Sequence, residues 1–209
     1  MARMVDRRQR SLPGACCVLT AGLLAFTGCA EKTQGTATAA TQPSTSTVER
    51  HGAPSVRQPL DVTRFLPQPC TILAAAQLRK LDLPGPGVPD TDSRNAKAVG
   101  PSCTWRNSGA ASSLGVTFVT ANTNGLADRY RAHAAGLIPG YWLETTVDGY
   151  PAVYNDDLDD RARGLCMMDL GVSDHLTMLV DVQDRSGEKS CDRVAVIASM
   201  VISTLRGQK

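Results

Sequence analysis

Four cysteines spread through the later part of the chain, Cys70, Cys103, Cys166 and Cys191, constrain the fold more than any other feature. Whether they are thiols or cross-links depends on the compartment in which the chain folds. The other three, Cys16, Cys17 and Cys29, fall at the N-terminus, and that segment answers the question. Arg3, Arg7, Arg8 and Arg10 form a basic start, and residues 15–26 form an apolar stretch of twelve. A stretch of that length behind basic residues reads as an export signal and is too short to span a bilayer. Residues 1–28 are therefore expected to be removed, and the rest to fold where thiols oxidise.

Phe26-Thr27-Gly28-Cys29 closes the apolar stretch. Small residues directly before a cysteine resemble the lipobox of bacterial lipoproteins, in which the thiol receives a diacylglyceryl group and the chain is cut before it. Phe26 stands where Leu is usual. The resemblance implies that Cys29 becomes an acylated first residue, carrying palmitate-type chains and holding the protein on the extracytoplasmic face of the cell membrane. A plain secretory signal followed by a chance cysteine is the competing interpretation.

Cleavage also settles the charge. The signal carries four Arg and one Asp, so 22 basic and 20 acidic residues become 18 and 19 in the mature chain. A net charge of −1 offers no field for nucleic acid, which is excluded as a partner.

With Cys16 and Cys17 removed and Cys29 acylated, four cysteines remain, an even number that allows three pairings. None belongs to a C-x-x-C pair and no His lies at ligand spacing, which argues against zinc and for two structural disulfides.

Residues 30–59 read as a tether. Six threonines lie between Thr33 and Thr47, among Ala, Gln, Ser, Gly and Pro, with only two valines as larger aliphatics. Such composition does not bury enough surface to offset its ordering entropy. A flexible tether of that length reaches about 30 Å r.m.s. and extends to about 100 Å at most.

Residues 60–209 read as one domain. Leu73, Ala74, Gln77, Leu78 and Leu81 predict a helix over 71–81 that stops before Pro84-Gly85-Pro86-Gly87, with loop to about Pro101. Residues 102–106 and 114–120 alternate as strands, with Leu114, Val116 and Phe118 on one face. Leu126, Tyr130, Ala134 and Leu137 share a helical stripe, with Asn124 as candidate cap and Pro139-Gly140 as stop. Val147-Asp148-Gly149-Tyr150 predicts a two-residue hairpin turn pairing Val147 with Tyr150, Thr145 with Ala152 and Leu143 with Tyr154. Two further strands follow at 165–172 and 176–184, then a helix over 190–205 with Cys191, Val194, Ala195, Ala198, Val201, Ile202 and Leu205 on one stripe. The order α-β-β-α-β-β-β-β-α predicts an α+β fold, a single domain with a mainly antiparallel sheet covered by helices and fastened by two disulfides.

Pro69-Cys70 before a helix, Cys103-Thr-Trp105 in a strand, Gly149-Tyr-Pro-Ala-Val, a strand cysteine at 166 and Cys191-Asp192 opening a terminal helix form an ordered set. Over about residues 66–207 that set resembles the DUF3558 family of actinobacterial, LprB/LprC-like lipoproteins. The resemblance implies an envelope location and brings no catalytic residue. The residues supply their own argument for pairing. Cys103 and Trp105 share a strand face, so the indole packs over a bridge from Cys70. Cys166 and Cys191 lie on the apolar faces of their elements. Sequential pairing closes loops of 33 and 25 residues, each worth about 3.5 kcal/mol. The crossed pairings would tie the first helix to the C-terminal half of the sheet, which the sequence does not exclude.

Candidate chemistry is sparse. Asp156, Asp157, Asp159 and Asp160 put four carboxylates in five positions, an oxygen cluster of the kind calcium binds. The run lacks the Gly and terminal Glu of an EF-hand, and a solvated loop explains it as well. His51, His133 and His175 have no motif beside a nucleophile, and no G-x-S-x-G, H-E-x-x-H or P-loop pattern occurs. No enzyme and no cofactor is expected. Trp142 and Glu144 fall on the hairpin face opposite Tyr141, Leu143, Tyr150 and Tyr154. If only the latter face packs on helices, Trp142 stands near solvent as an anchor for a partner or lipid; covering both faces buries it. Three functions stay open: a binding or accessory module with an envelope protein or ligand as partner, an envelope hydrolase with a site assembled from distant residues, and a purely structural lipoprotein.

Overall fold

The computed structural model describes residues 49–207. The segment read as a signal peptide, Cys29 and the expected tether up to residue 48 lie outside the described residues. Among the described residues seven strands form one antiparallel sheet: β1 (Val88–Asp90), β2 (Ser102–Asn107), β3 (Ser112–Val119), β4 (Tyr141–Val147), β5 (Tyr150–Asp156), β6 (Leu165–Ser173) and β7 (Leu176–Gln183). Their spatial order is β1-β2-β3-β7-β6-β5-β4. Among the described residues four α-helices accompany them: α1 (Ala75–Lys80), α2 (Arg94–Ala98), α3 (Leu126–Ala134) and α4 (Ser190–Arg206).

The α+β class and the antiparallel sheet follow the sequence pattern. The β4–β5 hairpin has the expected register, Val147 with Tyr150, Thr145 with Ala152 and Leu143 with Tyr154. Its turn residues Asp148 and Gly149 have φ of 49° and 84°. Both are left-handed, the backbone that matches the twist of the flanking strands. Cys166 opposes Val182, Met168 opposes Val180 and Leu170 opposes Met178, so the apolar sides of β6 and β7 face the same way.

That shared face carries the core. Trp105, Val116, Phe118, Met168, Leu170, Met178, Val180 and Val182 are all but inaccessible to solvent. α4 covers them with Val194, Ile197, Ala198, Val201, Ile202 and Leu205. Both bridges form as argued: Cys70–Cys103 with Cα atoms 5.0 Å apart and Cys166–Cys191 with 5.2 Å. The first ties a short 3-10 turn (Pro69–Ile72) to β2, the second ties β6 to the first turn of α4.

The second face has its own, smaller cluster. Leu126, Ala127 and Tyr130 of α3 pack on Val153, with Ala53 and the partly buried Trp142. Helices thus cover both faces at the β4–β5 end.

Four expectations need correction. The helix over 71–81 is broken: Leu73 is extended, with φ −117° and ψ 121°, and only Ala75–Lys80 is α-helical. The loop to Pro101 contains β1 and α2, the latter capped by the Ser93 hydroxyl accepting from the Ala96 N–H. α3 starts from Gly125 rather than Asn124, whose N–H and side-chain amide both bond Asp128, and it ends at Ala134, leaving Leu137 exposed. The domain begins earlier than residue 60. Ala53 and Val56 are buried, Arg50 pairs with Asp174 at 3.0 Å, and Asp174 also accepts the Val56 N–H. The Tyr150 hydroxyl donates to the Gln58 carbonyl, and the Leu60 N–H to Val172. Polar contacts dock residues 49–59, so their apolar content does not betray it.

Candidate functional site

Strand alternation sends Asn155, Met167, Asp169 and Leu179 to the second face, the one opposite the core. α3 covers that face only in part. Arg129 of α3, Ala98 and Val99 at the end of α2, Ala121-Asn122 and Asp156-Asp157 wall a half-open cleft of about 430 Å³ above those strand residues and Val119.

Its floor holds a closed ring of polar groups. The Asp169 side chain is only 5% exposed, and its Oδ2 accepts a hydrogen bond from Asn155 Nδ2 at 2.9 Å. Arg129 Nη2 donates to Asn155 Oδ1. Arg129 Nε sits 2.8 Å from the same Asp169 oxygen but without hydrogen-bond alignment, so charge rather than an aligned bond holds that contact. The Asn155 amide also donates to the Val153 carbonyl, which fixes its orientation. A carboxylate so deep requires these partners, because an unpaired charge there costs several kcal/mol.

Asp181 lies on the same face, between Gly115 on one neighbouring strand and Met167 on the other. A Cβ at position 115 would stand 2.2 Å from Asp181 Oδ1, so only glycine leaves room for the carboxylate. Burial alone pushes the Asp181 carboxyl up to about 6 from 3.8. Below about pH 4 the group is protonated folded or unfolded. Between about 4 and 6 the unfolded chain ionises while the folded one keeps its proton, so stability falls as pH rises. Asp181→Asn is expected to stabilise the fold at pH 7.5 by on the order of 2–3 kcal/mol, an advantage that disappears at pH 3.5. Urea titrations at the two pH values check this, and equal gains at both would refute it.

Residues 24–204 match the family model DUF3558, described as a protein of unknown function. The chain belongs to this DUF3558 family. No curated protein and no solved structure matches it.

Within the DUF3558 span, the residues singled out by sequence are scattered rather than gathered. The four domain cysteines are spent as staples on the core side. In the acidic loop, Asp159 pairs with Arg161 at 2.6 Å, Asp160 with Arg163 at 3.2 Å, and Asp156 accepts the Asp157 N–H. Among the described residues no group of three or more His, Cys, Asp or Glu is placed to hold a metal ion.

Trp142 is partly buried rather than free: its ring stacks on His133 at 4.2 Å and meets the edge of Tyr130 at 5.0 Å. Its Nε1 donates to Glu144 Oε1 at 3.3 Å. Burial, and then Glu144, push the Tyr130 phenol up to about 12. Trp142 and Glu144 therefore brace α3 against β4. His175 Nδ1 faces the Thr123 carbonyl at 3.2 Å and His51 lies 3.7 Å from Glu49. Among the described residues no helix is long and apolar enough to cross a membrane.

Arg129, Asp169 and Asp181 escape a reading of motifs, and Asn155 shows there only as the head of the acidic run. The signal that finds them is position: Asp169 and Asp181 interrupt strands at the register that faces away from the core.

Proposed function

We propose that this DUF3558 member is a lipid-anchored, extracytoplasmic binding module of the cell envelope, of the actinobacterial LprB/LprC-like kind. Acylated Cys29 sits in the bilayer, and the cleft beneath Arg129 takes the ligand. The observation that carries this reading is the Arg129–Asn155–Asp169 ring lying under an opening rather than under packed side chains. A buried ion pair is a poor source of stability compared with apolar residues of the same size. Asp156, Asp157 and Asp169 line a cleft whose one guanidinium, that of Arg129, is already engaged, so charged acceptors exceed charged donors. The cleft suits a ligand that offers N–H or O–H groups, with Met167, Leu179 and Val119 contacting its apolar part. Its polar groups hold one another, which favours recognition over proton transfer.

Two measurements test the two halves of the proposal. Cys29→Ala is expected to abolish metabolic labelling with palmitate and to release the protein or leave it uncleaved; unchanged labelling overturns the anchor. For the cleft, envelope partners are captured by cross-linking to the lipidated chain and compared with Leu179→Trp, which fills the opening. A partner recovered with the first and lost with the second supports the site, and equal recovery overturns it.

A further inference from the structure

The two edges of the sheet are built differently. β1 has only three residues and one of them is Pro89, a combination that blocks further pairing. β4 has seven residues, Tyr-Trp-Leu-Glu-Thr-Thr-Val, with no proline, no lysine or arginine and no bulge. The two-residue turn makes Val147 and Tyr150 a hydrogen-bonded pair, so by alternation the backbone groups of Trp142, Glu144 and Thr146 point away from β5. None of them has a backbone partner among the described residues. Leu143, one residue from the middle of this edge, is 49% exposed. Across a shallow groove from the end of β4, Val196 of α4 is also half exposed.

We propose that β4 pairs with β4 of a second copy of this chain, antiparallel about a two-fold axis through Leu143. The alternatives for a self-paired edge differ in what they bring together. A centre on Glu144 sets two carboxylates directly opposite, which is destabilising. A centre on Thr145 places Leu143 against Val147, whose side chain is already buried in its own domain. A centre on Leu143 puts the exposed leucine against its copy at the close, non-hydrogen-bonded spacing of about 4.5 Å between Cα atoms. It also sets Glu144 opposite Trp142 of the other copy, so no like charges meet. The self-complementary register covers the exposed apolar residue and the free backbone groups of Trp142 and Glu144 at once.

Cysteine cross-linking reads the register directly. The non-hydrogen-bonded spacing lies within disulfide reach. Leu143→Cys in the lipidated, exported chain is expected to give a dimer on non-reducing gels that collapses with reductant, whereas Thr145→Cys stays monomeric. A dimer with Thr145→Cys alone, a cross-link to a different protein, or no cross-link with either variant overturns the proposal. Sedimentation of the detergent-solubilised protein gives an independent reading. The unmodified chain is expected to sediment as a dimer and Leu143→Lys to dissociate at least about ten-fold more readily. A monomer for the unmodified chain overturns the pairing.

Discussion

Replacing Cys166 and Cys191 together by alanine is expected to lower stability by about 3.5 kcal/mol, from the 25-residue loop that their bridge closes. In a domain of this size that is a large share of a total of about 5–15 kcal/mol. The expected shift in melting temperature is about 10 °C or more. The bridge holds a particular joint: Cys166 is in the buried side of β6, Cys191 is in the first turn of α4, and that turn has no side-chain cap. Without the cross-link the start of α4 frays first, and α4 supplies the apolar stripe that covers the sheet. Equilibrium unfolding in urea under non-reducing conditions, with Cys70–Cys103 intact, measures the loss. An unchanged midpoint would show that packing alone holds α4 in place.

Much of this joint is legible in the sequence because strand alternation and helical spacing each place a cysteine on an apolar face. The hairpin at Asp148-Gly149 is legible for a similar reason, since the turn chemistry is local and fixes the register of both strands. β1 is not legible: three residues containing a proline have no alternation to read, and β1 exists only because β2 offers an edge at residues 102–104. The break at Leu73 is hidden too, because its helical spacing continues across it. The docking of residues 49–59 rests on Asp174 and on the Tyr150 hydroxyl, contacts between segments far apart in sequence. The candidate site fares worst. Arg129, Asn155 and Asp169 come from α3, β5 and β6, and no spacing rule connects them. Their only trace is a carboxylate where the strand pattern turns away from the core.

That carboxylate carries the second large effect. Arg129→Met is expected to destabilise the domain by about 3 kcal/mol, because Asp169, 5% exposed, then keeps only Asn155 as partner. The figure sits at the low end for a broken buried pair, since the Arg129 side chain is 31% exposed and water partly replaces it. Removing both charges, in Arg129→Met with Asp169→Leu, is expected to recover most of the loss, because Val153 and Leu179 flank Asp169 across the sheet. A double-mutant cycle by urea unfolding should therefore show a coupling of about 2 kcal/mol. Simple additivity would mean that Arg129 and Asp169 are neighbours without being partners. The double variant also separates stability from recognition: its fold is restored while the polar ring is gone. If it still captures the partner that Leu179→Trp loses, the ligand reads the shape of the cleft and not its charges; if capture is lost from a stable fold, the buried pair is kept for binding.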